Sequence, residues 1–282
     1  MRVQWYPGQM AKATRLLAEN SKLVDAVIEV LDARIPASSR NPAIRQILEI
    51  KPLLAVLTHA DLADPGMTKK WLQVLQKDYF AAVALNVKSG RGVKKLLLYL
   101  RKIPRKKSKS KRPLRIMVAG IPNVGKSSLI NRLIGRKAAI IGNKPGVTRG
   151  KQWLKLADNL EILDTPGVLW PKIESEKQAF ALAAVGAVKD ELLDMEELAG
   201  ELSAYLQEKF VESIRLRYGF DPSGMNRAEV LKNIAVRSGC LRRGGEADVA
   251  LAARLFVKDF REGRLGRLTL DEPGEGEDES IC

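Results

Sequence analysis

The sequence contains few of the residues that build zinc sites or disulfide frameworks. Its 282 residues include two cysteines, Cys240 and Cys282, and one histidine, His59, which allow at most one disulfide and cannot supply a zinc-finger set. No apolar run approaches the ~18 residues of a membrane span, and residues 1–4 begin no signal peptide. These absences argue against a zinc protein, a secreted scaffold and a membrane protein. They favour a cytoplasmic protein with reduced thiols.

Acidic residues are outnumbered. The chain has 48 Lys and Arg against 33 Asp and Glu, a formal charge of +15. Six of the acids lie in residues 271–282, which hold no base, so the body before them combines 48 basic with 27 acidic residues. Such a surplus attracts polyanions with salt-sensitive affinity. Composition alone does not distinguish RNA, DNA and anionic lipid.

Apolar runs alternate with helical patterns through the first half of the sequence. Strands are expected at residues 24–31, 53–57, 81–87, 114–119, 152–156 and 160–163. This alternation predicts an α/β fold with a mostly parallel sheet wrapped by helices. Beyond residue 175 the pattern is helical, apart from a short strand expected at 268–270.

These patterns divide the sequence into three parts. Residues 1–174 are predicted to form the α/β domain, residues 175–270 a small all-α domain, and residues 271–282 an acidic, disordered tail. A segment at about 104–113 is predicted to be a linker or surface loop, because it carries six basic residues between two prolines.

The last strongly periodic helix is expected near residues 246–262. Its apolar side has Val249, Ala253, Phe256 and Phe260, and its opposite side has Arg254, Lys258 and Arg261. The basic side is typical of a solvated surface, and it equally suits RNA contact in a body this basic.

A phosphate-binding motif follows the fourth expected strand. Residues 120–127 match G-x-x-x-x-G-K-[ST] and precede a helix expected over 128–134. Backbone N–H groups of such a loop surround phosphate oxygens, Lys126 reaches the β- and γ-phosphates, and Ser127 binds Mg²⁺. The predicted nucleotide-binding residues here are Asn123, Val124, Gly125, Lys126, Ser127 and Ser128.

Two further segments complete the phosphate site. Asp164-Thr-Pro-Gly167 follows the strand expected at 160–163, so Asp164 is predicted to act on Mg²⁺ and the Gly167 N–H to meet the γ-phosphate. The same four residues alone would suit an ordinary turn. Thr148, in the glycine-containing loop between the two motifs, is predicted to close on Mg²⁺ when γ-phosphate is present.

The segments that read guanine lie before the P-loop. No Asn-Lys-x-Asp occurs between residues 167 and 282, and the nearest match is Thr58-His59-Ala60-Asp61 after the second strand. Asn86-Val87-Lys88-Ser89, after the third strand, resembles the Ser-Ala-Lys base-contact loop. This motif order is that of a circularly permuted GTPase, which binds GTP and GDP.

Four motifs in one order carry a family resemblance. Beginning at Trp5, Asp32, Gly120 and Leu163, they read WYPGQMAKA, DARIPASSRNP, GIPNVGKS and LDTPGVLWP. They resemble the ribosome biogenesis GTPase A family of circularly permuted GTPases, over residues 5 to about 273. The resemblance implies a permuted P-loop GTPase domain followed by a helical domain that binds RNA or the ribosome. It also implies a cytoplasmic GTP-hydrolysing factor that matures the large ribosomal subunit, with its rRNA as partner.

The base-reading motif departs from the family's Asn-Lys-Ala-Asp. Asp61 is retained, and its carboxylate is expected to pair with guanine N1–H and N2–H₂, which adenine lacks. Thr58 offers one hydroxyl in place of an amide, so a hydrogen bond worth ~0.5–1.5 kcal/mol is lost or replaced by water. His59 either lies over the purine or faces solvent. We expect guanine preference with weakened affinity.

The residues that orient the attacking water also depart from known patterns. Val168 occupies the position of the Ras-type glutamine, and valine neither hydrogen-bonds nor transfers a proton. The resemblance implies a histidine in the amino-terminal motif, where this chain has Gln9. Gln9 either positions water or caps the helix that starts near Met10. Both interpretations predict slow intrinsic hydrolysis, stimulated by the large subunit.

Asn123 leaves two interpretations open. It agrees with GTPases whose P-loop asparagine helps to hold K⁺, and it also suits an ordinary turn.

Two alternative functions also stay open: a nucleotide-dependent RNA-binding module with negligible hydrolysis, and a GTPase acting on tRNA or membrane. The sequence shows no amphipathic anchor or lipidation signal, which counts against membrane.

Overall fold

The computed structural model describes residues 15–42, 44, 51–104, 112–135, 140–141, 152–157, 159–165, 173 and 175–274. These residues divide into two compact units. The α/β unit contains the described residues up to 165 together with 271–274, and the helical unit contains residue 173 and residues 175–270. In the described part of the chain no helix is long and apolar enough to cross a membrane.

Within the described residues of the α/β unit, seven strands form one sheet. They are β1 (Ala26–Asp32), β2 (Leu53–Thr58), β3 (Ala81–Ala84), β4 (Leu114–Gly120), β5 (Ile140–Ile141), β6 (Gln152–Ala157) and β7 (Leu160–Asp164). Their order is β3-β2-β1-β4-β7-β6-β5. All neighbours from β3 to β7 are parallel, whereas β6 and β5 are antiparallel to their neighbours. The prediction of an α/β fold with a mostly parallel sheet is confirmed.

The central strands are buried because helices cover the sheet. Every residue of β1 is buried, and its apolar sequence is nearly continuous, which is typical of a parallel strand covered on both faces. Its polar Glu29 is satisfied, since its carboxylate accepts hydrogen bonds from the Asn41 N–H and the Tyr79 hydroxyl, at 2.9 and 2.7 Å. The helices that connect the strands are α1 (Pro65–Asp78), α2 (Val93–Arg101) and α3 (Lys126–Ile134).

The register of the sheet brings the sequence motifs to one edge. Asp32 at the end of β1 is paired with Thr58 at the end of β2, and Val30 with Gly120 at the end of β4. On the other side of β4, Val118 is paired with Asp164. Because β1 continues to β2 on one side and lies beside β4 on the other, strand order reverses here, which is where open α/β sheets bind ligands.

The helical unit contains five α-helices within its described residues. They are α4 (Glu176–Ala184), α5 (Met195–Lys209), α6 (Val211–Tyr218), α7 (Arg227–Arg237) and α8 (Val249–Arg261). Several begin at a side chain that accepts from the first turn, such as Asn226 in a capping box with Glu229. The all-α prediction is confirmed. The strand expected at residues 268–270 is wrong, since this segment has no regular structure.

Helix α8 has the predicted apolar side, but one of the three basic residues expected to face solvent is instead bonded to protein. Phe256 and Phe260 are buried, while Arg254 and Lys258 are exposed. Arg261 is not a solvated side chain. Its Nε and Nη2 donate to the carbonyls of Ala184 and Ala183, at 3.0 and 2.9 Å, and its guanidinium pairs with Asp190 at 2.9 Å. Arg261 therefore caps the last turn of α4.

The acidic end of the chain returns to the α/β unit. The Asp271 carboxylate accepts from the Ser38 N–H at 2.7 Å and from the Ser38 hydroxyl at 2.9 Å. The Asp271 carbonyl accepts from Trp71 Nε1 at 3.1 Å. The expectation of a disordered tail is therefore wrong for Asp271, which is buried. Residues 275–282 lie outside the described residues.

Candidate nucleotide-binding site

The P-loop fits tightly between β4 and β1. Gly120 has φ 155°, and a Cβ at this position would lie 2.5 Å from the Val30 carbonyl oxygen, so only glycine fits. Asn123 and Gly125 adopt left-handed conformations, with φ of 57° and 89°. The loop then leads directly into α3 at Lys126, whose amino-terminal N–H groups and dipole favour an anion.

Lys126 is held within its own loop. Its side chain is buried, and Nζ donates to the Ile121 carbonyl at 2.6 Å. Asn123, Ser127 and Ser128 are exposed on the same segment, whereas Val124 is buried. A cation, two hydroxyls and a helix amino terminus form a donor set suited to phosphate oxygens. Mg²⁺ shared with phosphates needs only one or two protein ligands, and the Ser127 hydroxyl is suitable.

Thr58 connects the predicted base-reading motif to the P-loop. Its side chain is fully buried, and Oγ1 lies 2.6 Å from the Val124 carbonyl oxygen and 3.0 Å from that of Leu31. The Thr58 hydroxyl is therefore bonded to protein, and the expected weakening of guanine affinity stays a prediction. Thr58 and His59 also lie against Gly125, where a Cβ would be 3.6 Å from Thr58 Cβ and from His59 Cε1. The two motifs form one packed unit.

The His59 side chain points toward the protein and contacts a buried carboxylate. Its φ is 53°, and Nδ1 lies 3.1 Å from Asp32 Oδ2. The Asp32 carboxylate also accepts from Arg34, at 2.9 Å from Nε and 2.7 Å from Nη2. Burial acts to raise the pKa of Asp32, but Arg34 and His59 outweigh it, so this pKa lies far below its usual range. The ring is therefore fixed by a buried carboxylate.

This Asp32–Arg34 pair was missed as part of the site. The sequence signal was present, because Asp32 is an acid at the end of a buried strand, as Asp164 is. The motif that contains it also organises the neighbouring loop, since the Asp32 N–H donates to Ser39 Oγ at 3.1 Å. Both Arg34 and Ser39 are buried.

The remaining predicted base-contact residues follow adjacent strands. Ala60 and Asp61 are partly exposed in a turn closed by a 2.8 Å bond from the Leu62 N–H to the His59 carbonyl. Asn86 and Val87 are also partly exposed, after β3. The Asn86 side chain accepts from the Ser89 N–H at 2.9 Å, which shapes this loop.

The residues predicted to sense the γ-phosphate are described only in part. The backbone of Asp164 ends β7 beside β4, and the next residue, Thr165, is buried and donates from Oγ1 to the Val118 carbonyl at 2.6 Å. This bond fixes the start of the Asp-Thr-Pro-Gly segment against the strand that leads to the P-loop. The predicted residues Gln9, Thr148 and Gly167 lie outside the described residues.

The Thr58 contact yields a direct prediction. Thr58→Val keeps the shape of the side chain and removes the hydroxyl, so the buried P-loop carbonyl loses a bond worth about 1 kcal/mol. We expect the free energy of unfolding to fall by about that amount and GTP affinity to fall up to about tenfold, the equivalent of 1.4 kcal/mol. Denaturant titration and fluorescent-nucleotide titration measure the two effects. Thr58→Ser keeps the hydroxyl and is the control; equal behaviour of the two variants would contradict the assignment.

Comparisons with known proteins agree with this geometry. Residues 115–213 match the family described as "50S ribosome-binding GTPase". The chain is 41% identical to Ribosome biogenesis GTPase A of Priestia megaterium over 285 residues, covering 98% of this chain and 99% of that protein.

Solved structures of similar proteins show the same fold. The chain is similar to a GDP-bound structure of "TM YlqF", with a TM-score of 0.70, 28% identity, and coverage of 92% of this chain and 99% of the other. It is also similar to GNP-bound YlqF from T. maritima, with a TM-score of 0.68, 28% identity, and coverage of 93% and 99%.

Proposed function

Because the chain belongs to the ribosome biogenesis GTPase A family and is a GTP-hydrolysing enzyme, we propose that it binds the large ribosomal subunit and its rRNA when GTP is bound. Hydrolysis then releases it from the particle. The match of residues 115–213 to the 50S ribosome-binding GTPase family supports the large subunit as partner. The contact of Thr58 with the Val124 carbonyl supports the nucleotide site, since it joins the base-reading motif to the P-loop. The proposed location is the cytoplasm.

Each part of the site has a proposed role. Asp61 reads the guanine edge, with Thr58, His59, Ala60, Asn86 and Val87 around the base. The P-loop residues Asn123, Val124, Gly125, Lys126, Ser127 and Ser128 surround the phosphates. Mg²⁺, held by Ser127, Thr148 and Asp164, would neutralise charge that develops on the β- and γ-phosphate oxygens. Asn123 is the proposed ligand for K⁺.

Hydrolysis needs a positioned water. With Val168 next to the proposed γ-phosphate contact Gly167, no glutamine or histidine follows the Asp-Thr-Pro-Gly segment directly. Gln9 is the proposed water-positioning residue, since an amide both donates to and accepts from water. If so, Gln9→Ala loses subunit-stimulated GTP turnover and keeps GTP affinity. Unchanged stimulation would assign Gln9 to helix capping.

The helical unit offers a surface for RNA. Residues 209–267 hold thirteen basic and seven acidic residues. Several of the bases are structural, as Arg261 is. Others are exposed and have no carboxylate partner among the described residues; these are Lys232, Arg237, Arg243 and Arg254. Phosphates are the natural partners of such cations.

Because the motif order is permuted, the segment that follows β7 is joined directly in sequence to the helical unit. The chain passes from the end of β7 at Asp164 to the start of α4 at Glu176 within twelve residues. A segment whose arrangement is proposed to depend on γ-phosphate therefore leads along the chain into the helical unit. The proposed consequence is a different affinity for the subunit in the two nucleotide states.

Sedimentation with large ribosomal subunits tests the proposal. We expect the protein with a non-hydrolysable GTP analogue to co-sediment at least about tenfold more tightly than with GDP, a coupling of about 1.4 kcal/mol. Equal binding in both states would contradict nucleotide-controlled release. Small subunits are the control particle, because they offer comparable negative charge without the proposed partner.

A further inference from the structure

Helix α2 presents a row of cations that the nucleotide site does not use. Residues 88–102 contain six basic residues and no acidic one. Four of them, Lys94, Lys95, Arg101 and Lys102, are exposed on α2 or at its carboxyl-terminal cap. Among the described residues none of these four has a carboxylate partner.

Three arginines of the α/β unit are instead paired with carboxylates. Arg40 contacts Asp78 at 3.0 Å, Arg112 contacts Asp25 at 2.7 Å, and Arg115 contacts Glu161 at 3.0 Å. These three arginines lie beside acidic side chains. The α2 surface has no acid on its own helix, so its charge stays uncompensated there.

The opposite face of α2 fixes the direction of this surface. Leu96 and Leu100 are fully buried, and Ile103 is buried just beyond the helix. The cations consequently stand on the outward side. Two of them are arranged by an aromatic ring, because the ammonium groups of Lys95 and Lys102 each lie 5.9 Å from the centroid of Tyr99.

The dimensions and chemistry of the surface suit a nucleic-acid backbone. Lys94 and Arg101 are two helical turns apart, about 10 Å along the axis. A duplex carries one negative charge per ~1.7 Å of its axis, so a row of this length meets several phosphates. Leu98, exposed by 57% between these cations, adds an apolar contact that binding would bury.

We propose that the exposed face of α2 (Lys94, Lys95, Leu98, Arg101 and Lys102) docks on the sugar–phosphate backbone of rRNA. This inference rests on the proposed function and adds a second RNA contact, on the GTPase unit itself. The surface adjoins the base-reading loop, since α2 starts directly after Gly92, where a Cβ would lie 2.3 Å from the Ala84 carbonyl. RNA on α2 would thus lie beside the guanine-binding loop.

An anionic membrane fits this surface less well. A helix that lies in a membrane surface inserts a continuous apolar face. The apolar face of α2 is occupied by the core of the α/β unit, and Leu98 is the one large apolar side chain of the helix that is mostly exposed. The row of cations is therefore better matched to phosphates in water than to lipid.

Two triple variants with equal loss of charge test the proposal. Lys94→Gln/Lys95→Gln/Lys102→Gln neutralises the α2 surface. Lys69→Gln/Lys70→Gln/Lys77→Gln removes three exposed lysines from the neighbouring helix α1 of the same unit. Binding to rRNA extracted from large subunits is measured over about 50–200 mM KCl, where phosphate contacts dominate the salt dependence. GDP affinity and denaturant unfolding of both variants check that the fold is intact.

The α2 triple is expected to reduce the slope of log affinity against log salt by about 2–3, because each lost phosphate contact removes about 0.7–0.9. The α1 triple is expected to keep the parent slope. If the two triples have equal slopes and the parent binds subunits preferentially with the GTP analogue, the proposed RNA contact of the α2 surface is wrong. The proposed function would then still stand. Parent protein that binds vesicles of anionic lipid but no rRNA would overturn the RNA assignment. Failure of the parent to bind subunits at all would instead remove the proposed function.

Discussion

Lys126→Ala is expected to lower kcat for GTP hydrolysis by about 10²–10³-fold, the effect of removing one charge-stabilising donor from an active site. The ammonium lies buried in the P-loop, where its 2.6 Å bond to the Ile121 carbonyl keeps it at the start of α3. Charge on the phosphate oxygens grows during transfer, and a buried cation stabilises it more than a solvated one does. Single-turnover hydrolysis measured with saturating GTP isolates this chemical step.

A stability measurement and a control variant at an exposed lysine distinguish loss of catalysis from loss of folding. Loss of the Lys126–Ile121 bond itself should lower the free energy of unfolding by about 1 kcal/mol, which leaves the protein folded. Lys69→Ala removes an exposed lysine of α1 and should leave kcat unchanged. Parent-like hydrolysis by Lys126→Ala would show that the lysine serves the loop and not the reaction.

Asp32→Ala is expected to lower the free energy of unfolding by about 3–5 kcal/mol, because it leaves the buried Arg34 charge without its partner. The Arg34 guanidinium makes two hydrogen bonds to this carboxylate, and both side chains are almost inaccessible to water. His59 loses its 3.1 Å contact as well, so the turn that carries the predicted base-reading residues is also loosened. Equilibrium unfolding in urea, with and without GDP, measures both consequences.

The pH dependence of this effect has a definite sign. Because the pKa of Asp32 is lowered in the folded protein, its contribution is complete above the unfolded value of about 3.9 and is lost as pH falls below that value. The difference in stability between the parent and Asp32→Ala should therefore be constant near neutral pH and shrink in acid. Asp32→Asn keeps the shape without the charge. If it were as stable as the parent at pH 7, the ion pair would not be the source of the effect.

Much of the α/β unit could be predicted because its signals are local. Strands buried on both faces show continuous apolar runs, and β1, β2, β4, β6 and β7 lie within two residues of their predicted bounds. Helix α3 begins two residues before its expected start, at Lys126. The two-residue strand β5 was not predicted, because a segment this short has no periodicity to detect.

The misses share a different physical origin. The Thr58 hydroxyl bonds to a carbonyl 66 residues away, so a sequence motif could show the substitution but not its new partner. Arg261 lies at a position that its helix periodicity assigns to solvent, yet α4 supplies carbonyls 77 and 78 residues earlier in the chain. Acid-rich composition likewise indicated a free tail at Asp271, where distant donors decide the outcome.

The return of Asp271 to the α/β unit bears on how fast the protein folds and unfolds. Its partners Ser38 and Trp71 lie 233 and 200 residues earlier, and closing loops of this length is entropically unfavourable until the rest of the unit has assembled. We expect these bonds to form after the rate-limiting barrier. Asp271→Ala should therefore raise the unfolding rate and leave the refolding arm of a chevron plot nearly unchanged. The Asp271 contacts would thus affect the lifetime of the folded protein, while the apolar strands would affect how quickly the folded state is reached.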